Sequence, residues 1–130
     1  MELNDLSRLT DEQDRGHAFE LRDPVHGEPT GIRLTIAGPD SKAAKKARGE
    51  LERAVAKQGR RGGETPPQER TRVMDDFLFA VVIGWELKDG GKPVKFDRQN
   101  FQRLVDAGTW VRAQIDQFAG DRSPYFKAAD

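Results

Sequence analysis

Seven consecutive apolar residues, at positions 77–83, constrain the fold of this chain more than any other feature of its sequence. Only 35% of the 130 residues are apolar, so an uninterrupted run of this length belongs in the centre of a modest core. Its pattern fits a buried helix or a buried strand equally well. The residues upstream favour a helix, because Thr65, Pro66 and Gln68 occupy the N-cap, first helical and capping-box positions of a helix start. We therefore predict a central helix that ends at Gly84.

The N-terminal part of the chain shows a different periodicity. In the segment HAFELRD, Phe19 and Leu21 alternate with polar residues, and in GIRLTIAG the residues Ile32, Leu34 and Ile36 do the same. Alternation with a period of two is typical of strands that bury one face. The intervening segment DPVHGEPTG is rich in proline and glycine, as connections between strands are. We predict two antiparallel strands here.

Three further helices are predicted from caps and apolar spacing. Asp40 or Ser41 caps the first of them. Asp97 caps a later helix, and its flanking phenylalanines are placed as a hydrophobic staple. Thr109 caps the last helix, which Gly120 ends. The apolar stripes of the three helices consist of Ala43, Ala47, Leu51 and Val55; of Phe101, Leu104 and Val105; and of Trp110, Val111, Ile115 and Phe118.

Together these elements predict an α+β fold, with a small N-terminal antiparallel β element followed by a bundle of about four helices. We expect a single domain at 17–120, with a mobile loop near 59–64, where the sequence reads GRRGGE. Residues 1–16 are mostly polar and are expected to form a flexible N-terminal arm. Residues 121–130 are expected to form a C-terminal tail.

The chain lacks the residue patterns of the common catalytic and metal sites. It has no cysteine, and its two histidines, His17 and His26, are not spaced as ligands of one ion. Asp75 and Asp76 are adjacent, so they point about 100° apart on a helix. We expect them to cover its polar side rather than to share a ligand. We predict that the protein is not an enzyme and has no metal site and no cofactor.

Charge and hydropathy indicate the compartment. The first residues lack the basic and apolar regions of a signal peptide, and no apolar run approaches the length of about 18–20 residues that spans a bilayer. Basic and acidic residues number 22 each, so the chain as a whole is not a polybasic or polyacidic binder. We expect a cytoplasmic protein that does not bind membranes.

One segment departs from this neutral balance. Residues 42–61 contain eight basic and two acidic residues, a local net charge of +6. A helix of this charge can lie along a phosphate backbone, so the segment leaves a nucleic-acid-binding module open as an alternative function. Against it, the segment contains no aromatic residue to stack on bases. An acidic protein partner fits the same charge.

A series of turn and packing residues runs through the C-terminal half. It comprises Gly84 and Trp85 after the apolar run, the turn DGGKPV at 89–94, Phe96, Asn100, Leu104, Gln114, Ile115, Phe118 and Phe126. The N-terminal half adds a β segment of the form DP, PTG and GPDS before a charged helix. In this order of features the chain resembles the small tail assembly chaperones of long-tailed bacteriophages.

The resemblance implies a protein of a phage or prophage that is not an enzyme. Such chaperones bind the tape-measure protein in the bacterial cytoplasm, keep it soluble, help to recruit tail-tube subunits and are absent from the finished tail. Their task requires an apolar groove that reversibly covers amphipathic helices of the client. A minor structural tail or head–tail joining protein is a rival interpretation, beside the nucleic-acid-binding module. The expected partner-binding residues, which stand at element ends, are Trp85, Leu87, Phe96, Trp110 and Phe126.

Overall fold

The computed structural model describes residues 1–60 and 66–126, except for the Arg60 side chain. The helices of this part are α1 (Leu3–Arg15), α2 (Lys42–Arg60), α3 (Pro67–Val81), α4 (Arg98–Val105), α5 (Thr109–Ala119) and α6 (Ser123–Phe126). The strands are β1 (His17–Arg22), β2 (Pro29–Ile36), β3 (Val82–Glu86), β4 (Lys88–Asp89) and β5 (Lys92–Pro93). Strands β1, β2 and β3 form an antiparallel sheet in that order, and β4 and β5 form a separate ribbon. The predicted α+β class is confirmed.

Cross-strand pairing decides which face of the sheet is buried. Leu34 on β2 lies between Phe19 on β1 and Trp85 on β3. Leu34 belongs to the core, and the two aromatic residues pack against it. The opposite face carries a row of charged residues, Glu20, Arg33 and Glu86. One face of the sheet therefore packs against helices and the other meets solvent, as is common for antiparallel sheets.

The apolar run at 77–83 is divided between two elements. Its first part belongs to α3, where Leu78 and Val81 are buried, and its last part begins β3 at Val82. The prediction that the helix continues to Gly84 is wrong, because Val82 pairs with Ile36 and Gly84 lies inside the strand. The free edge of β2 offers backbone hydrogen bonds to this segment, and its β-branched residues suit a strand. The sheet consequently has three strands rather than two.

Of the predicted N-caps of the other three helices, two are confirmed and one is wrong. Ser41 caps α2, since its Oγ accepts the backbone N–H of Ala44 at 3.0 Å. Asp97 caps α4 in the same way, accepting the N–H of Asn100 at 2.8 Å. The prediction that Thr109 caps α5 is wrong: the cap position is Gly108, and the helix start has no side-chain cap. The inner faces of α4 and α5 are nevertheless as predicted, with Phe101, Leu104, Val105, Val111 and Ile115 buried.

Residues 1–16 do not form a flexible arm, because Leu3–Arg15 is the helix α1. A polar side chain fixes its C-terminal end: Gln13 is only 2% exposed, and its side-chain oxygen accepts the backbone N–H of Asp40 at 2.7 Å. The carbonyl of Gln13 also accepts the N–H of Gly38 at 2.9 Å. A Cβ at Gly38 would overlap the Gln13 side chain, so this close approach requires glycine. These contacts are made by polar groups, so they leave no apolar periodicity in the sequence.

The structure tests the predicted bounds of the loop and of the C-terminal tail only in part. Gly59 and Arg60 still belong to α2, whereas residues 61–65, with most of the predicted loop and Thr65, lie outside the described residues. The predicted start of the central helix is one residue too early, because Pro66 holds the N-cap position and α3 begins at Pro67. In the predicted tail, Ser123–Phe126 forms the short helix α6, and residues 127–130 also lie outside the described part. Across 1–60 and 66–126, no helix is long and apolar enough to cross a membrane.

Candidate functional site

The predicted glycine turn forms a short ribbon that continues β3 beyond the sheet. Gly90 and Gly91 have φ values of 58° and 78°, and they join β4 to β5 in a two-residue turn. Two successive positive φ angles match the twist of a tight hairpin and favour glycine. The N–H of Val94 donates to the carbonyl of Leu87 at 2.8 Å, which extends the ribbon by one further pair.

An aromatic cluster holds the base of this ribbon against the body. The indole N–H of Trp85 donates to the carbonyl of Val94 at 2.9 Å. The Trp85 ring meets the Phe96 ring edge-on, with centroids 5.1 Å apart, and Phe96 stacks on Phe79 at 5.2 Å. Because Trp85 has its polar atom satisfied and its ring packed, the ribbon leaves the sheet at a fixed position.

A groove opens where the pairing between β2 and β3 stops. The last pair is Arg33 with Glu86, and beyond it the start of β2 and the ribbon form the two walls of a space of about 600 Å³. We call this space the strand groove. Its apolar lining consists of Ile32, Trp85, Leu87, Pro93 and Val94, and its polar lining of Thr30, Gly31, Arg33, Glu86 and Lys88.

The chemistry of the strand groove is that of a contact surface. Trp85, Leu87 and Val94 are half-buried, so each presents part of an apolar side chain to the groove. The rim carries charges of both signs. Arg33 Nε lies 3.4 Å from Glu20 Oε1, and Arg33 Nη1 lies 3.8 Å from Glu86 Oε2. Lys88 is exposed. These lining residues include no histidine, serine, cysteine or aspartate. Such a groove can cover apolar side chains of a partner and meet charges beside them.

The structure brings three of the five predicted partner-binding residues together. Trp85 and Leu87 line the strand groove, and Phe96 supports Trp85 from behind. Trp110 lies elsewhere, on α5, where its Nε1 stands 2.6 Å from the position of a Cβ at Gly108 and its ring packs on the core. Phe126 is on α6, beside α1, and is 47% exposed.

The two histidines occupy unrelated positions. His17 lies beside the rings of Phe118 and Tyr125, at centroid distances of 6.2 and 6.0 Å. His26 is exposed in the connection between β1 and β2, with its Nδ1 3.7 Å from Asp23. Within the described ranges, no three histidine, cysteine, aspartate or glutamate side chains are grouped as metal ligands.

The interpretation of the adjacent aspartates was wrong for one of them. Asp75 is fully buried, and its carboxylate accepts hydrogen bonds from Arg112 Nε at 2.7 Å, Arg112 Nη2 at 2.9 Å and Gln102 at 3.0 Å. Burial raises the pKa of Asp75, but the hydrogen bonds from Arg112 and Gln102 outweigh it and hold the pKa below its ordinary value. Asp76 does lie on the exposed side, paired with Arg98.

A signal for Asp75 was present in the sequence. It stands three residues before Leu78, and residues at that spacing share one helix face. A carboxylate on the buried face of a central helix requires a basic partner. Among the described residues, the hydrogen bonds to the Asp75 carboxylate come from Gln102 on α4 and Arg112 on α5. Asp75 therefore holds α3 to α4 and α5 rather than serving an open site.

The basic segment coincides with α2. Its Ala44 and Ala47 are buried in the core, and α2 packs against α3. The predicted apolar stripe is wrong at its end, because Val55 is exposed. The opposite side of the helix bears the exposed basic residues Lys42, Lys45, Lys46, Arg48, Arg53 and Lys57. Arg48 also donates to the carbonyl of Pro39 at 2.8 Å, so it is partly committed to the fold. The Arg60 side chain and Arg61 lie outside the described part.

No protein-family model matches the chain, and neither a curated protein nor a solved structure matches it.

Proposed function

We propose that this protein is a tail assembly chaperone of a long-tailed phage or prophage, and that it binds an amphipathic helix of the tape-measure protein in the strand groove. In this role it is not an enzyme and uses no cofactor. It acts in the cytoplasm of the bacterial host, helps to recruit the tail-tube protein and is absent from the finished tail. The proposal rests on the order of turn and packing residues in the sequence together with the groove that those residues build.

The single observation that carries the proposal is the preformed apolar floor of the strand groove. Trp85 is held by its bond to Val94 and by Phe96, so its exposed edge is in place before any partner arrives. A partner that meets a rigid aromatic surface loses less entropy on binding than one that must order it. The turn at Gly90 and Gly91 fixes the ribbon that forms the second wall.

The rim indicates the chemistry of the occupant. Arg33, Glu86 and Lys88 place two positive charges and one negative charge around the apolar floor. A helix that carries a narrow apolar stripe between acidic and basic flanks complements this rim. Such helices bind grooves through side chains at i, i+3 or i+4, and i+7. Long tape-measure proteins, as the resemblance implies, consist largely of helices that need such cover before assembly.

Co-expression with the long helical reading frame of the same phage tests the function. Leu87→Asp removes an apolar groove contact but keeps the backbone carbonyl that bonds to Val94. Val55→Asp is the matched control, because Val55 is 55% exposed and lies on α2, away from the groove. We expect the native chain and the control to keep the client soluble and to co-purify with it, and Leu87→Asp to lose both activities. Circular dichroism and thermal unfolding establish that both variants remain folded.

Three other outcomes contradict the proposal in different ways. A client that precipitates regardless of co-expression removes the chaperone function. If the client stays soluble and bound to Leu87→Asp, the chaperone function stands, but the strand groove is not the binding site. Presence of the protein in purified particles identifies a structural subunit, such as a minor tail or head–tail joining protein, instead.

The exposed basic side of α2 favours one second candidate, a nucleic-acid-binding module. Its test is fluorescence anisotropy with a labelled DNA duplex, comparing the native chain with Lys45→Glu, Lys46→Glu. Binding that weakens steeply with salt and is lost in this double variant supports the module, because released counterions then drive association. No binding at low salt removes it.

A further inference from the structure

Four exposed basic residues follow one line along the outer side of α2. They are Lys42, Lys46, Arg53 and Lys57, and we call them the basic stripe. Their spacing of i, i+4, i+11 and i+15 places them within about 60° of one another around the helix axis, over a length of about 22 Å. The basic stripe shares no residue with the lining of the strand groove.

The charges of the basic stripe are not neutralised by the rest of the protein. Within the ranges that the structure describes, none of the four side chains lies at ion-pair distance from a carboxylate. The stripe contains two pairs of like charges four residues apart, a spacing that weakens a helix slightly. A row of carboxylates on a partner would turn this repulsion into attraction.

The surroundings of the basic stripe favour a narrow partner. Glu50 and Glu52 are exposed on its two sides. A DNA duplex whose major groove enclosed α2 would bring phosphates against both of these carboxylates. A partner helix touches only a strip of the surface, so it can meet the stripe and leave them in water. Close approach is open at Gly49, where a Cβ would meet only the Arg53 guanidinium, at 3.6 Å.

We propose that the basic stripe docks an acidic helix of a partner protein, with glutamates or aspartates at the same spacing as the four cations. An anionic membrane fits less well, because the apolar side of α2 is buried in the core and cannot enter lipid. The acidic helix α1 of a second copy also fits less well. Its Asp5 is paired with Arg8, and its Asp14 accepts the backbone N–H of Lys42 at 2.8 Å, so its carboxylates do not form a free row.

The probe is a labelled alanine-based peptide of about 18 residues with glutamates at i, i+4, i+11 and i+15, all on one side of the helix. We call it the striped peptide. Its matched control has the same composition with the glutamates spread around the helix. Fluorescence anisotropy at low salt should show that the striped peptide binds the full chain at least about five-fold more tightly, because only it brings four carboxylates to the stripe together. Salt should weaken the binding of both peptides.

Charge reversal locates the binding. The double variant Lys46→Glu, Arg53→Glu places two carboxylates in the basic stripe and should weaken binding of the striped peptide at least about ten-fold at low salt. The matched control is Arg70→Glu, Lys92→Glu, which makes the same change in net charge at exposed positions outside the stripe and should stay within about three-fold. Leu87→Asp alters the strand groove alone and should bind the peptide as the native chain does. Failure of the client test and failure of this test are therefore distinguishable. Circular dichroism establishes that the variants are folded.

Each remaining outcome overturns the proposal. Equal binding of the two peptides shows that the spacing of the stripe is not recognised, and an equal loss in the two double variants shows that only net charge matters. An unlabelled DNA duplex that displaces the striped peptide at a lower concentration than the unlabelled peptide does identifies nucleic acid as the occupant. A dimer in sedimentation that Lys46→Glu, Arg53→Glu dissociates identifies a second copy instead.

Discussion

Two arginine–carboxylate pairs in this protein have the same geometry but lie in different surroundings. Arg112 binds Asp75 at 2.7 and 2.9 Å, and Arg122 binds Asp40 at 2.7 and 2.9 Å. The Asp75 side chain is 1% exposed, whereas that of Asp40 is 38% exposed. The first pair joins α3 to α5 in the interior, and the second joins the segment after α5 to the turn before α2.

We infer from the comparison that burial, more than geometry, sets how much such a pair contributes to the free energy of unfolding. In the interior, a carboxylate that loses its arginine keeps its charge without water to replace the lost bonds. At the surface, water replaces most of what is lost. The body around Asp75 should therefore unfold as one unit, whereas the corner around Asp40, to which α1 is attached through Gln13, should open separately.

Replacement of the buried carboxylate should have the largest effect. Asp75→Ala leaves Arg112 partly buried without its main partner and should lower the free energy of unfolding by about 3–5 kcal/mol. Urea denaturation measures this change. The neighbouring Asp76→Ala is the matched control, because Asp76 is exposed and its pair with Arg98 should be worth less than about 1 kcal/mol. If both variants lowered the free energy of unfolding equally, burial would not explain the difference between the two kinds of pair.

Replacement of the buried amide at the corner should have a smaller and more local effect. Gln13→Ala removes the acceptor of the Asp40 N–H and should cost about 1–3 kcal/mol, as for a buried group left without its partner. Amide hydrogen exchange should accelerate in Leu3–Arg15 and change little in α3. The exposed Gln99→Ala is the control and should change neither. Acceleration throughout the protein would contradict a separately opening corner.

The sequence predicted those elements whose information is local. The caps at Ser41 and Asp97 and the apolar faces of α4 and α5 depend on residues within one or two helical turns, and they were predicted correctly. The division of the apolar run depends on the free edge of β2, where Ile36 pairs with Val82. The helix α1 depends on contacts between Gln13 and Asp40, 27 positions apart. Such distant partners leave no periodicity to read.

The candidate site was predictable to the same extent. Trp85, Leu87 and Phe96 come together because one tight turn, marked by two glycines, folds the chain back within a dozen residues. Trp110 and Phe126 also stand at element ends, but the fold places them apart from the strand groove. Residue type and position at an element end do not determine which surface a side chain joins; the tertiary packing does.

The exposed pair should show the smallest effect and a characteristic dependence on pH. Hydrogen bonds from Arg122 lower the pKa of Asp40 from its ordinary value of 3.8 to about 2, although partial burial opposes them. A carboxylate with a lowered folded-state pKa stabilises the fold above its unfolded pKa, and this contribution is lost as pH falls through the folded pKa. Because the side chain is partly exposed, we expect Asp40→Asn to cost only about 1 kcal/mol at neutral pH.

The difference between the native chain and Asp40→Asn should close as pH falls from about 4 toward about 2, since the aspartic acid then becomes neutral as well. Urea denaturation at several pH values measures it, and NMR titration of the Asp40 carboxyl gives the pKa directly. High salt at neutral pH should also reduce the difference, because exposed charges are screened. A difference that persists at the acidic end would show that the asparagine disturbs α2 or Gln13 rather than the ion pair. The corner would then depend on packing, as the interior does, and the contrast between the two pairs would fail.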